Sequence, residues 1–118
     1  MKYFQPSEFS CNCGCGGGFS DMDQAALGML DEARGRAGIP FHINSAYRCQ
    51  KHNKAVGGAP GSSHTTGNAV DVSARSGREK WLVVNALIES GFNRIGIADT
   101  FIHADNDKTK TQNVIWGY

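Results

Sequence analysis

The sequence has no apolar run that approaches membrane-spanning length, so no helical insertion into a bilayer is expected. Its first residues, Met1-Lys2-Tyr3-Phe4-Gln5-Pro6, lack the long apolar core of a secretory signal. The expectation is a protein made in the cytoplasm, which reaches any outside target only by release or lysis. It also lacks an excess of one charge. Twelve basic and 11 acidic side chains leave a formal charge of +1, which indicates no basic surface for nucleic acid. At 118 residues it has room for one modest core, and a single domain over residues 1–118 is expected.

The cysteines lack the two-residue gap of a zinc knuckle. They stand at Cys11, Cys13, Cys15 and Cys49, the first three among glycines. That spacing leaves open a second metal site, a bridge to Cys49, or free thiols. Without an export signal reduced thiols are the default, and a structural role for the loop is the expectation.

What the chain does have is the stretch Ser62-Ser63-His64-Thr65-Thr66-Gly67-Asn68-Ala69-Val70-Asp71-Val72-Ser73. Residues Ala69 to Val72 read as a strand, which holds Asp71 on one face of a sheet. His64 lies on the loop feeding that strand, and Gly67 lets the loop fold back. One nitrogen and one carboxylate oxygen suit a borderline metal such as zinc. A catalytic zinc needs a third protein ligand and an open position for water, and His103, in the strand-like run Phe101 to Asp105, is the best third ligand. For His64 or Asp71 alone, a turn-capping histidine or a hydrogen-bonded strand carboxylate explains the residue as well. The combination with His103 and Arg48 favours the metal.

Around these residues the pattern is that of an ordinary small domain. A helix begins near Ser20, where Ser20 and Asp23 resemble a capping box, and ends at Gly38 and Pro40. Residues 41–45 read as a strand, and the glycine-rich segment 56–63 as a loop at a cleft rim. Ser76-Gly77-Arg78-Glu79 opens a second helix, on which Trp81, Val84, Leu87 and Ile88 read as a core stripe ending at Gly91. Residues 94–98 and 101–105 form a hairpin around Asp99 and Thr100, and Val114 to Trp116 a last short strand. Trp116 either walls the cleft or closes the core.

Several segments in order resemble one family. Ile43-Asn44-Ser45-Ala46-Tyr47-Arg48 is similar to a Ser-Gly-Tyr-Arg segment, with Ala46 in place of glycine. Asn53 to Gly58 is similar to an Asn-x-x-Val-Gly-Gly stretch. Ser62-x-His64-x-x-Gly67-x-Ala69-x-Asp71 and Phe101-Ile102-His103-x-Asp105 are similar to its metal motif and closing strand. The family is the zinc D-alanyl-D-alanine carboxypeptidases with their phage endolysin relatives, in a clan with hedgehog and lysostaphin-type domains. The resemblance implies an α+β fold, a small antiparallel sheet with helices packed on one side. It implies one zinc ion on His64, Asp71 and His103, and a monomeric metallopeptidase acting on bacterial peptidoglycan stem peptides. The bond is the terminal D-Ala-D-Ala bond or an internal one.

The resemblance also assigns roles. Arg48 aligns with the substrate-side arginine, to bind a carboxylate or steady an oxyanion. Ser62 is either a substrate-bonding group or a turn hydroxyl satisfying its own backbone. Relatives carry a catalytic carboxylate three residues before the last histidine, where this chain has Thr100. Asp99, one residue further back, is then the expected general base. Asp105 is the rival, though a role bonding a ligand imidazole or Arg48 suits it better. The departure at Thr100 leaves a second reading, a zinc-binding recognition or structural module without catalysis.

Overall fold

A computed structural model describes residues 1–118. Asp23, not Ser20, caps the first helix, α1 (Gln24–Ala37): its carboxylate accepts the Ala26 N–H at 3.0 Å. Phe19–Asp21 forms a short 3-10 turn before it. Gly38 ends α1 in the left-handed conformation that an L side chain adopts only with strain. A short helix, α2 (Gln50–Ala55), follows the strand β1 (Ile43–Ser45). The third helix, α3 (Gly77–Glu89), starts with the expected capping box, in which Ser76 Oγ accepts the Glu79 N–H at 3.0 Å.

The remaining strands are β2 (Ala69–Ser73), β3 (Arg94–Ile97), β4 (Phe101–Asp105) and β5 (Val114–Gly117). With β1 they form one sheet in the order β1-β2-β4-β3-β5. The first three pairings are antiparallel, as expected, but β5 returns parallel to β3, so the sheet is mixed. The loop from Asn106 to Asn113 gives the chain enough length to cross back before pairing.

Strand alternation sends side chains to two faces. Val70, Val72, Ile95, Ile102 and Ala104 join Leu27, Leu30 and Ala33 of α1 and Val83, Ala86 and Leu87 of α3 in the core. The opposite face carries a row set by strand register: Ser45 beside Asp71, Asp71 beside His103, His103 beside Gly96, Gly96 beside Trp116. The core stripe of α3 departs from the expectation. Trp81 is 64% exposed and Ile88 45%, while Val83 and Ala86 are buried. The buried arc of α3 is centred on the side carrying Val83, Ala86 and Leu87, which turns Trp81 outward.

Candidate metal centre

Three elements bring the predicted ligands together. Asp71 and His103 are direct cross-strand neighbours on β2 and β4, so their side chains rise from one face. His64 comes from the loop before β2, held by three contacts. Its carbonyl accepts the Arg48 N–H at 3.1 Å, its N–H donates to Ser62 Oγ at 3.3 Å, and its Nδ1 lies 2.7 Å from the Ala46 carbonyl. Gly67, at φ 74°, closes this loop against the segment before α1. A Cβ there would lie 1.9 Å from the Asp21 carbonyl oxygen. Only glycine meets both demands.

The atoms converge. Asp71 Oδ1 lies 3.2 Å from His64 Nε2 and 3.2 Å from His103 Nδ1, and the ligand atoms of the three buried residues lie within 4.8 Å of one another. A tetrahedral zinc with nitrogen and oxygen ligands at about 2.0–2.1 Å sets those atoms about 3.3 Å apart. Hydrogen-bond partners fix the tautomers. A carbonyl only accepts, so His64 Nδ1 carries its proton toward Ala46 and leaves Nε2 bare. His103 Nε2 lies 2.7 Å from Asp105 Oδ2, closer than Nδ1 lies to Asp71, so the neutral ring keeps its proton on Nε2 and leaves Nδ1 bare. Two bare nitrogens thus face one carboxylate oxygen, an arrangement of acceptors that a cation satisfies. The donor set fits zinc.

The titration of the residues follows from the same contacts. Burial works against an ionised Asp71, but His103 and His64, which donate to it when the nitrogens facing it are protonated, outweigh burial and hold the carboxyl well below its ordinary value. Burial likewise opposes a charged His103, and Asp105 and Asp71 overcome it to push the ring up. Asp105, though desolvated, is held down by the bonds from His103, the Asp107 N–H and Arg94.

The surrounding cleft has a volume of about 450 Å³. Arg48 lines it, with Nη2 3.4 Å from Asp71 Oδ2, Nε 3.0 Å from Ser45 Oγ and Nη1 3.2 Å from Asn53 Oδ1. The outer oxygen of Asp71 is thereby occupied, and its inner oxygen is turned toward the imidazoles. Ser62 also lines the cleft, its hydroxyl accepting the His64 N–H, which is the turn role weighed for it. The loop Val56 to Ala59 forms the rim. Trp116 forms a wall, its ring centroid 5.5 Å from that of His103, and Gly96 makes room for it: a Cβ there would lie 2.7 Å from Trp116 Nε1.

Asp99 is not brought to the site. It is exposed in the turn between β3 and β4 and does not line the cleft, because it stands four residues before His103, beyond the start of β4. Asp105 does line it, and its bonds go to His103 and to Arg94, whose Nε lies 2.7 Å from Oδ1, rather than to Arg48. Sequence reasoning missed Arg94, Lys110 and Tyr118 as lining residues. Arg94 had a signal, since it opens the strand beside Asp105. Lys110 and Tyr118 had none, because only the crossing to β5 brings them over the sheet face.

A family model described as Peptidase M15 matches residues 2–105. No curated protein matches the chain.

Proposed function

The chain belongs to the peptidase M15 family of zinc-dependent metallopeptidases, and from that premise we propose that it hydrolyses peptide bonds in bacterial peptidoglycan stem peptides at the cleft around His64, Asp71 and His103. The observation that carries this reading is the convergence of two imidazole nitrogens on Asp71 Oδ1, each at 3.2 Å. His64, Asp71 and His103 would hold the zinc. When bound, zinc supplies a Lewis acid for the scissile carbonyl and a water whose pKa falls to about 7.

The protein's own side chains do the rest. Asp105 keeps the His103 proton on Nε2, so that Nδ1 stays a donor of electrons at the centre. Ala46 does the same for His64. Arg48, anchored by Ser45 and Asn53, presents a fixed guanidinium at the cleft, suited to a substrate carboxylate or to charge growing on the carbonyl oxygen. Lys110, held at 2.8 Å by Ser63 Oγ, adds a second cation at the cleft wall and favours an acidic peptide. Trp116 and Tyr118 line one side of the groove. Both carboxylates lining the cleft, Asp71 and Asp105, have their two oxygens engaged. The protein would meet the wall after release from the cell or lysis.

The test is incubation of purified protein with peptidoglycan and with short stem peptides, with and without chelator, and mass spectrometry of the products. Chelator-sensitive cleavage is expected, and the product masses distinguish a terminal D-Ala-D-Ala bond from an internal one. His64→Ala should lose zinc and cleavage together. Asp99→Ala should keep zinc and turnover within about twofold, as for a surface change away from the site. A cleavage loss in Asp99→Ala with zinc retained would restore Asp99 as the base. The lack of an uncommitted cleft carboxylate favours one second reading, a zinc-binding module without catalysis. Bound zinc with no cleavage of any substrate would support that reading.

A further inference from the structure

Cys49 lies far from Cys11, Cys13 and Cys15 in sequence but meets them in space. Cys11 Sγ is 3.4 Å from Cys13 Sγ and 3.9 Å from Cys49 Sγ, and Cys13 Sγ is 3.6 Å from Cys49 Sγ. Cys15 Sγ completes the group, all four sulfurs lying within 4.8 Å of one another. None is paired in a disulfide. A tetrahedral zinc with Zn–S bonds of about 2.3 Å separates its sulfurs by about 3.8 Å. These three sulfur–sulfur distances scatter around that value. No carboxylate or imidazole belongs to the cluster, and a set of four soft sulfurs is the donor set of a structural zinc.

The backbone is shaped for this. Gly14 and Gly16 alternate with Cys13 and Cys15, and both take positive φ, 77° and 91°, with nothing near the position of a Cβ. The alternation curls a Cys-x-Cys-x-Cys run so that three successive thiols face one point, which an extended chain would send to alternate sides. The loop is closed at its ends by the Cys11 N–H donating to the Gly17 carbonyl at 2.9 Å. Backbone N–H groups then point at the sulfurs: Gly17 at Cys15 Sγ, Cys49 at Cys11 Sγ, and His52 at Cys49 Sγ, each at 3.4 Å. Such donors offset part of the negative charge that four thiolates carry beyond one divalent ion.

We infer that Cys11, Cys13, Cys15 and Cys49 form a second, structural zinc site, distinct from the cleft and closed to substrate by its four protein ligands. On binding, each thiol gives up its proton to solvent and one Zn²⁺ takes four thiolates. The expectation of one zinc per chain becomes two. The site ties the amino-terminal loop to the residue that directly follows Arg48. It thereby anchors the segment whose Ala46 carbonyl and Arg48 side chain hold His64 and Asp71. The inference stands whether or not the cleft is catalytic.

Metal analysis and native mass spectrometry of the full chain, produced with zinc and reductant, test it. Wild type should carry two zinc ions, Cys13→Ser one, His64→Ala one, and the double variant none. X-ray absorption at the zinc edge of His64→Ala should show a shell of four sulfurs at about 2.3 Å. If Cys13→Ser fails to fold, titration of wild type with an organomercurial thiol reagent answers the same question, since it should release one zinc and leave the other. One zinc per chain that survives Cys13→Ser overturns the inference. So do release of no zinc by the mercurial, a disulfide among the four cysteines in the reduced preparation, and iron in place of zinc.

Discussion

At the scale of single residues, the candidate metal centre depends on groups outside its three candidate ligands. Asp105 is the clearest. It is 1% exposed, and its two oxygens are divided between His103 and Arg94. Asp105→Asn keeps the shape but removes the charge, and the amide can present its NH₂ to His103 Nε2, which reverses the tautomer. Zinc affinity at the cleft should fall about 10–100-fold, the usual cost of losing such a partner. Competition with a chromophoric chelator measures this. Unchanged affinity would mean that Asp105 serves Arg94 and the Asp107 N–H alone. Asp71 illustrates the same point from inside. Arg48 engages one oxygen, and what remains is a single oxygen aimed between two imidazoles.

At the scale of elements, the loop from Ser62 to Asn68 decides whether His64 meets the two strand ligands. Gly67 is its pivot, and a side chain there meets the Asp21 carbonyl at 1.9 Å from a backbone already at φ 74°. Gly67→Ala should destabilise the fold by about 2 kcal/mol or more, from left-handed strain plus a backbone clash that no side chain can relieve. Urea unfolding of the two proteins measures it. Cleft zinc affinity should fall with it, because the displaced loop carries His64. The register of β2 against β4 plays the complementary part. A slip of one residue would send Asp71 into the core and Val70 or Val72 into the cleft.

At the scale of the whole molecule, the sheet divides labour between its faces. One buries against α1 and α3, and the other carries the candidate metal ligands. The crossing from β4 to β5 closes the open face, and Asp107 holds that crossing. Burial opposes its ionisation, but bonds from Thr109 and Ser63 and the charge of Lys110 outweigh it and lower the carboxyl to about 2. A carboxylate depressed in the folded state adds stability that is complete above its unfolded value, about 3.9, and is lost as pH falls through the folded value. Asp107→Asn should therefore cost about 1–3 kcal/mol at pH 7, from bonds to a charged group. The gap to wild type should narrow below about pH 4. Denaturant unfolding at pH 7 and pH 3 compares them. A gap that is equal at both would show that the charge contributes nothing.

How much of this was legible in the sequence differs between local and distant relations. The strands around Asp71 and His103, the capping box at Ser76 and the glycine between His64 and Asp71 were legible because each rests on neighbours within a few residues. The three candidate ligands could be named on residue type and spacing, whereas the role of Arg48 and the fold class came with the family resemblance. Tertiary structure alone decided the rest. The parallel return of β5 set Trp116 and Tyr118 over the cleft, and the place of Asp99 beyond the start of β4 kept it out of the cleft. Cys49 met a loop 34 residues before it. The physical reason is common to all three. Propensity, capping and periodicity are written in neighbouring residues, whereas a distance between remote side chains is settled only when the sheet takes its register and the core closes behind it.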